Sequence, residues 1–321
     1  MSKLHQIIRW QTSFSGVADH TLRAVRSARN ALHGSHSLNK SAVERNTLAA
    51  TLLTVAILLG SGMAVCIRLL ESYSAFQIVF MRSVVVLGLL VPLLFLRGVK
   101  FWQVQQPGML IIRGLEGTVG QTLTVLAVLS LPLATVQALS FTKAFMILGL
   151  SVLFLGELVS WRRWVAVVIG FIGVVIVVDP TAEYDPAVLF ALGGTFSFAG
   201  ALLLTKVLLK EESRGSLMVW NAGTQFAVSA VPAVLTWQAL SGMDALVILC
   251  LGLMVLVVQP ISLQAFRLGE MSALAPIDYL RLLTGVATGY FIFGEVPGTS
   301  LWIGGAVIIG ANLWIQNQSR A

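Results

Sequence analysis

The 321-residue chain is 57% hydrophobic and only 11% charged, with a formal net charge of +7. This composition excludes an ordinary soluble domain and predicts an all-α integral membrane protein. The positive charge lies mostly in the N-terminal tail and in the loops on one side, so it does not indicate nucleic-acid binding.

The first 46 residues are a basic segment that we predict to be disordered and cytoplasmic. They lack the apolar core of a signal peptide. A partly amphipathic stretch, residues 17–32, allows the alternative that the segment lies on an anionic membrane surface. The segment also contains every histidine of the chain: His5, His20, His33 and His36. Their spacing does not indicate a metal site.

Apolar blocks of about 20 residues follow, the length that a helix needs to cross roughly 30 Å of hydrocarbon. The pattern predicts ten transmembrane helices beginning near Thr47, Ala75, Pro107, Leu133, Trp161, Pro186, Ser216, Asp244, Met271 and Thr299. Residues 179–186 are predicted to form a periplasmic linker between two five-helix parts, 47–178 and 187–317. Residues 318–321 form a short cytoplasmic C-terminus.

Orientation is predicted from the loop charges, because cytoplasmic loops carry the excess of lysine and arginine. Alternate loops are basic, with Arg97, Lys100, Arg162, Arg163, Lys210, Arg214 and Arg267. The intervening loops are acidic, with Asp179, Glu183, Asp185 and Asp244. This pattern predicts that both termini lie in the cytoplasm.

The two five-helix parts are related by an internal repeat. An offset of about 138 positions aligns Gly62 with Gly200, Arg68 with Lys206, Gln121 with Gln259, Lys143 with Arg281, Gly156-Glu157 with Gly294-Glu295 and Trp164 with Trp302. Because each part has an odd number of helices, the second must enter the membrane from the opposite side. Such an inverted repeat is typical of alternating-access transporters, which bind substrate between the halves near the membrane midplane.

Three pairs of segments carry a family resemblance: LGELVSWRRW with FGEVPGTSLW, VVIGFIGVVIVV with GGAVIIGANLWI, and LSLPLATVQALSFT with LGEMSALAPIDYL. In their order and duplicated spacing, residues 47–317 resemble a ten-helix member of the drug/metabolite transporter superfamily with two EamA-type repeats. The resemblance implies a multi-pass secondary carrier of the bacterial inner membrane with a central cavity.

Two cations are predicted to lie near the membrane midplane, Lys143 and its repeat counterpart Arg281. A charge at that depth costs at least about 2.5 kcal/mol, so each must point into the bundle and find a partner or water. One hypothesis pairs Lys143 with Glu116 and Arg281 with Asp278. In the other hypothesis, the two cations bind an anionic or strongly polar group of the substrate, and Glu116 or Asp278 carries a coupling proton.

Several neutral polar side chains accompany these charges. Gln121 and Gln259 are repeat counterparts that either bond neighbouring helices or line the cavity. Tyr279, Ser140 and Thr142 lie near the charged positions, where their hydroxyls either bind substrate or are satisfied by packing.

Other charged residues are interpreted structurally. Arg82 and Arg68 are expected to snorkel to a membrane surface or to pair with Glu71. Glu157 and Glu295 are predicted to lie at opposite surfaces and to stabilise helix ends.

The leading hypothesis is a secondary transporter that moves a small polar organic metabolite by alternating access, with protons as a candidate coupling ion. Resemblance suggests riboflavin uptake. Alternatives are an S-adenosylmethionine carrier or an amino-acid or drug exporter, and, in a different class, a lipid-carrier flippase subunit. No enzyme activity, cofactor or metal is expected, since the spans contain no histidine. Cys66 and Cys250 are interpreted as small packing residues, and the oligomeric state is left open.

Overall fold

The computed structural model describes residues 45–155, 161–178, 185–268, 274 and 277–318. The chain divides into two compact units, residues 1–48 and 49–321. The described part of the first unit is limited to residues 45–48. Several predictions fall outside the described residues: the basic tail with its histidines, Glu157, the start near Met271 and residues 179–184 of the linker.

The described chain is helical, and no strand occurs within it. Its helices are α1 (Arg45–Leu69), α2 (Ala75–Leu96), α3 (Pro107–Ser130), α4 (Leu133–Ser140), α5 (Lys143–Leu155), α6 (Trp161–Val178), α7 (Ala187–Leu208), α8 (Arg214–Leu235), α9 (Gly242–Leu268), α10 (Leu280–Phe293) and α11 (Thr299–Gln318). The all-α prediction is therefore confirmed.

Local sequence signals explain several helix starts. The Ser74 hydroxyl accepts a hydrogen bond from the Gln77 amide and caps α2. Ser213 caps α8 in the same way through the Ser216 amide, and Pro107 begins α3, where its missing N–H costs nothing. The predicted starts that fall on described residues agree with the structure to within about two residues.

The helix expected from Leu133 onward is divided into two. Residues 141–142 form a turn between α4 and α5, and the Thr142 hydroxyl donates to the Leu139 carbonyl at 2.7 Å. Lys143 is therefore the first residue of α5 rather than an interior position of one long helix.

Five helical segments are long and apolar enough to cross a membrane: Arg45–Leu69, Ala75–Leu96, Leu133–Leu150, Ala187–Leu208 and Gly242–Leu268. Shorter apolar helices cover Trp164–Val178, Leu280–Phe293 and Thr299–Trp314. Large apolar side chains such as Leu96, Leu235 and Phe291 are highly exposed. Apolar helices with such surfaces indicate a multi-pass membrane protein that faces hydrocarbon.

Glycines allow the closest helix contacts. A Cβ atom on Gly304 of α11 would lie 2.6 Å from the Gly173 carbonyl oxygen of α6, so these two helices touch through their backbones. On α3, a Cβ on Gly120 would lie 3.2 Å from the Gly194 carbonyl oxygen of α7. α3 also packs against α8, and α2 packs against α8 and α9. These four helices, together with α1 and α7, surround the candidate site.

Candidate functional site

A cavity of about 100 Å³ lies among α1, α2, α3, α7, α8 and α9. Its polar lining consists of Arg82, Arg113, Gln121, Asn221, Gln225 and Gln259. Apolar side chains, among them Phe198, complete the wall. The described lining therefore carries two cations and four neutral amides but no carboxylate.

Arg82 of α2 is buried in this wall, with 3% of its surface exposed. Its Nη2 donates a hydrogen bond to Gln225 Oε1 on α8 at 2.6 Å. Its buried Nε has no hydrogen-bond partner. The expectation that Arg82 snorkels or pairs with Glu71 is wrong, because its guanidinium points inward to a neutral amide.

Arg113 of α3 is the second cation of the wall and is 6% exposed. Its Nε donates to Thr205 Oγ1 on α7 at 2.8 Å. That hydroxyl in turn donates to the Ala201 carbonyl at 2.6 Å. Arg113, like Arg82, is thus held by a neutral group of a neighbouring helix.

Gln121 and Gln259 both line the cavity, from α3 and α9 respectively. The hypothesis that these repeat counterparts face a common cavity agrees with this placement, and their contact with a substrate stays a prediction. A Cβ on Gly117 would lie 2.6 Å from Asn221 Oδ1. The missing side chain at Gly117 therefore leaves the space that the Asn221 amide occupies.

Lys143 and Arg281 meet at one carboxylate. Lys143 Nζ lies 3.2 Å from Asp278 Oδ2, and Arg281 Nε lies 2.7 Å from Asp278 Oδ1. The pairing of Arg281 with Asp278 is confirmed, whereas the pairing of Lys143 with Glu116 is wrong. Glu116 forms no ion pair with any described residue, and its carboxylate carbon would lie 3.6 Å from a Cβ on Gly200.

The three charges form a group separate from the cavity lining, with a net charge of +1. Tyr279 packs its ring edge-on against Phe141, with 5.4 Å between centroids. The Ser140 hydroxyl donates to the Gln137 carbonyl of its own helix at 2.7 Å. Ser140 therefore has a local structural partner, and substrate binding by Ser140, Tyr279 and the charged group stays a prediction.

A second network joins helix ends. Arg68 lies 3.4 Å from the Glu295 carboxylate and also donates to the Val128 and Leu131 carbonyls, which corrects the expected pairing with Glu71. The other Glu295 oxygen accepts the Leu133 amide at 2.9 Å and so caps α4.

Tyr73 lies between α1 and α2, and its hydroxyl donates a hydrogen bond to Asp244 in the first turn of α9 at 2.7 Å. This hydrogen bond raises the pKa of Tyr73 above its ordinary value. Among the described residues, no cluster of His, Cys, Asp and Glu side chains has the arrangement of a metal site.

Sequence reasoning missed Arg82 and Arg113 as members of the site. Both lie inside apolar helices, where a charge is by default a sign of function. No pattern in the sequence singles out Arg113, and Arg82 is expected at a membrane surface or paired with Glu71. A charged residue inside an apolar helix can be recognised from the sequence, but its position does not show whether the side chain snorkels to a surface or points inward.

Comparisons with known proteins place the chain in a family. Residues 47–179 match the EamA-like transporter family. An S-adenosylmethionine uptake transporter of Rickettsia felis is 31% identical over 242 residues, which cover 75% of this chain and 82% of that one. A riboflavin transporter of Brucella anthropi is 27% identical, with 75% and 87% covered.

A crystal structure of another protein superposes with a TM-score of 0.61 at 17% identity, covering 85% of this chain and 97% of the other. This likeness concerns the fold alone. The relatives are small-molecule transporters, and the cavity lies inside apolar, membrane-type helices. With 31% identity across three quarters of its length to one such relative, the chain belongs to the EamA-like transporter family of the drug/metabolite transporter superfamily.

Proposed function

We propose that the protein is a secondary transporter that moves a small polar organic solute across the bacterial inner membrane by alternating access. The observation that carries this function is the polar cavity enclosed by apolar helices of both halves. A buried cationic and amide-rich wall is costly to maintain in a membrane protein, and such sites mark substrate pathways. The inverted ten-helix arrangement and the cytoplasmic termini are part of this proposal.

Helix bounds support the duplicated architecture. At an offset of about 138 positions, α2 corresponds to α8, α3 to α9 and α6 to α11. Contacts between halves include the α2–α8 and α6–α11 pairs, in which each helix packs against its own counterpart. Pairing of counterparts is what a pseudo-twofold axis between two repeats produces.

The small volume of the cavity supports a mechanism in which the helices around it separate to admit the solute. Pockets for drug-sized ligands occupy about 300–1,000 Å³, whereas this cavity measures about 100 Å³. A metabolite that needs a pocket of about 300 Å³ or more enters this cavity only when the surrounding helices separate. The Arg68–Glu295 ion pair joins α1 to the end of α10. Separation of these two helix ends would break the ion pair.

We place S-adenosylmethionine ahead of riboflavin as the cargo, imported into the cell. S-adenosylmethionine carries a carboxylate, for which the two lining arginines are suited, whereas riboflavin has no anionic group at neutral pH. Phe198 offers an aromatic face to an adenine ring or to a sulfonium. The relative named as an S-adenosylmethionine uptake transporter supports import of such a metabolite, and the relative named as a riboflavin transporter supports a small organic cargo.

The test is uptake by proteoliposomes that contain the purified full chain. We expect radiolabelled S-adenosylmethionine to accumulate above the level of empty vesicles, and riboflavin to accumulate less. Gln259→Ala is expected to slow uptake, whereas Gln103→Ala, in an exposed loop, serves as the control. Accumulation of riboflavin alone would overturn the cargo assignment, and movement of only a lipid-linked solute would favour a flippase over a metabolite transporter.

A further inference from the structure

The charges around the cavity do not balance within the described protein. Arg82 and Arg113 both line it, and the described lining contains no aspartate or glutamate. Arginine stays protonated in proteins, so burial does not remove these charges. A buried charge without a counter-charge is strongly destabilising. The two arginines therefore favour an occupant that places an anionic group, such as a carboxylate, against them.

The arginines also have hydrogen-bonding capacity to spare. Among the described residues Arg82 donates one side-chain hydrogen bond, to Gln225, and its buried Nε has no acceptor. Arg113 likewise donates one, to Thr205. A guanidinium carries five N–H donors in a planar fork that matches a carboxylate. An anionic group in the cavity would provide the missing acceptors.

The carboxylates that the structure describes near the cavity do not fill this role. Glu116 lies one turn along α3 from Arg113, yet its carboxylate lies against Gly200 and forms no ion pair with a described residue. Asp278 is engaged by both Lys143 and Arg281. The counter-charge must therefore arrive with a ligand.

We infer that Arg82 and Arg113 form a carboxylate-binding subsite, which orients the transported solute by its anionic end. Gln121, Asn221 and Gln259 then contact the neutral polar part of the solute. The inference rests on the proposed function for the location of the solute, and it adds that a carboxylate is the group that the protein selects.

The first test uses the wild-type protein and three related compounds. All three compounds carry an ammonium group. S-adenosylmethionine also has a carboxylate and a sulfonium, S-adenosylhomocysteine has the carboxylate without the sulfonium charge, and decarboxylated S-adenosylmethionine has the sulfonium without the carboxylate. S-adenosylhomocysteine shows the effect of the sulfonium alone. We expect decarboxylated S-adenosylmethionine to compete with radiolabelled S-adenosylmethionine about 10- to 100-fold more weakly than unlabelled S-adenosylmethionine does, because these two compounds differ only in the carboxylate; the range is that expected for lost charge-assisted hydrogen bonds. Equal competition by the two compounds would overturn the inference.

The second test uses variants and compares ligands within each variant. Arg82→Gln and Arg113→Gln are expected to weaken binding of S-adenosylmethionine about 10-fold or more while changing binding of the decarboxylated compound little. Arg97→Gln is the control, because it removes one exposed positive charge directly after α2. A uniform loss across both ligands would contradict carboxylate recognition. If the arginine variants do not fold, the wild-type competition still decides.

A third measurement separates this inference from the proposed cargo. Thermal stabilisation of the purified protein is compared for L-methionine and L-methioninamide, and for succinate and succinamide, at equal concentrations. Stabilisation by the acids but not by the amides supports the subsite even if S-adenosylmethionine is not transported. If S-adenosylmethionine is transported but acids stabilise the protein no more than amides do, the proposed function is supported and the carboxylate-binding subsite is refuted.

Discussion

Gly304→Ala tests the close contact between α6 and α11. The added Cβ atom would lie 2.6 Å from the Gly173 carbonyl oxygen and 2.7 Å from the Val177 amide nitrogen. Both are backbone atoms, which cannot rotate away as the end of a side chain can. A carbon and a carbonyl oxygen approach each other comfortably at about 3.3 Å, so the two helices must separate locally by roughly 0.7 Å.

The expected cost follows from that displacement. Overpacking of a well-packed interface costs about 1–3 kcal/mol, and it is partly offset by the gain of about 1 kcal/mol when alanine replaces glycine inside a helix. Gly310→Ala is the matched control, because this glycine lies on the same helix and has no atom within 4 Å of its Cβ position. The two variants should therefore differ by about 1–3 kcal/mol, with Gly304→Ala the less stable.

The assay is unfolding of each purified variant in mild detergent with increasing sodium dodecyl sulfate, followed by tryptophan fluorescence. The control should unfold at or above the wild-type midpoint, and Gly304→Ala should unfold below it. Equal midpoints for the two variants would refute the backbone contact between α6 and α11 as described.

Three further predictions concern the charged groups and the cavity. Glu295→Ala, which removes the cap of α4, should cost about 0.5–2 kcal/mol of stability in the same unfolding assay, and Glu295→Gln less, since an amide oxygen still accepts a hydrogen bond. Asp278→Asn should reduce the amount of folded protein in membranes more than Lys143→Met does, because the first change leaves two cations without a carboxylate; the reverse order would contradict the shared ion pair. Gly117→Ala should slow solute uptake by displacing the cavity amide beside it, while Gly108→Ala on the same helix, with open space at its Cβ position, should transport normally; equal rates would count against that wall of the cavity.

The positions of the helices were predictable because their signals are local. Pro107 and the capping serines Ser74 and Ser213 mark starts within a few residues of sequence. The break after residue 140 was not predictable in this way. The Thr142 side chain bonds to a carbonyl three residues earlier, and the same residue type is equally common inside continuous helices.

The partner of Lys143 depended on tertiary structure. Sequence gives the depth of a residue along its helix, but it does not give the neighbours of that helix or its rotation. Glu116 and Asp278 were both available at suitable depth. Asp278 lies just before α10 and Lys143 lies just after α4, at the start of α5. Helices α10 and α4 pack together, which places the carboxylate beside the lysine, while Glu116 faces α7 at Gly200. For the same reason, the sequence does not show that Arg82 points into the bundle and not toward a membrane surface.

The distribution of the lining charges has a consequence for how a solute is oriented. At the repeat offset the counterparts of Arg82 and Arg113 are Trp220 and Leu251, whereas Gln121 and Gln259 correspond to each other. Two inverted repeats of identical sequence would form a symmetric site. Such a site would accept a molecule equally well in either of two inverted poses. Divergence at the arginine positions removes that degeneracy. Under the proposed inverted repeat and carboxylate subsite, the arginines of the first half therefore determine which end of the solute each half contacts.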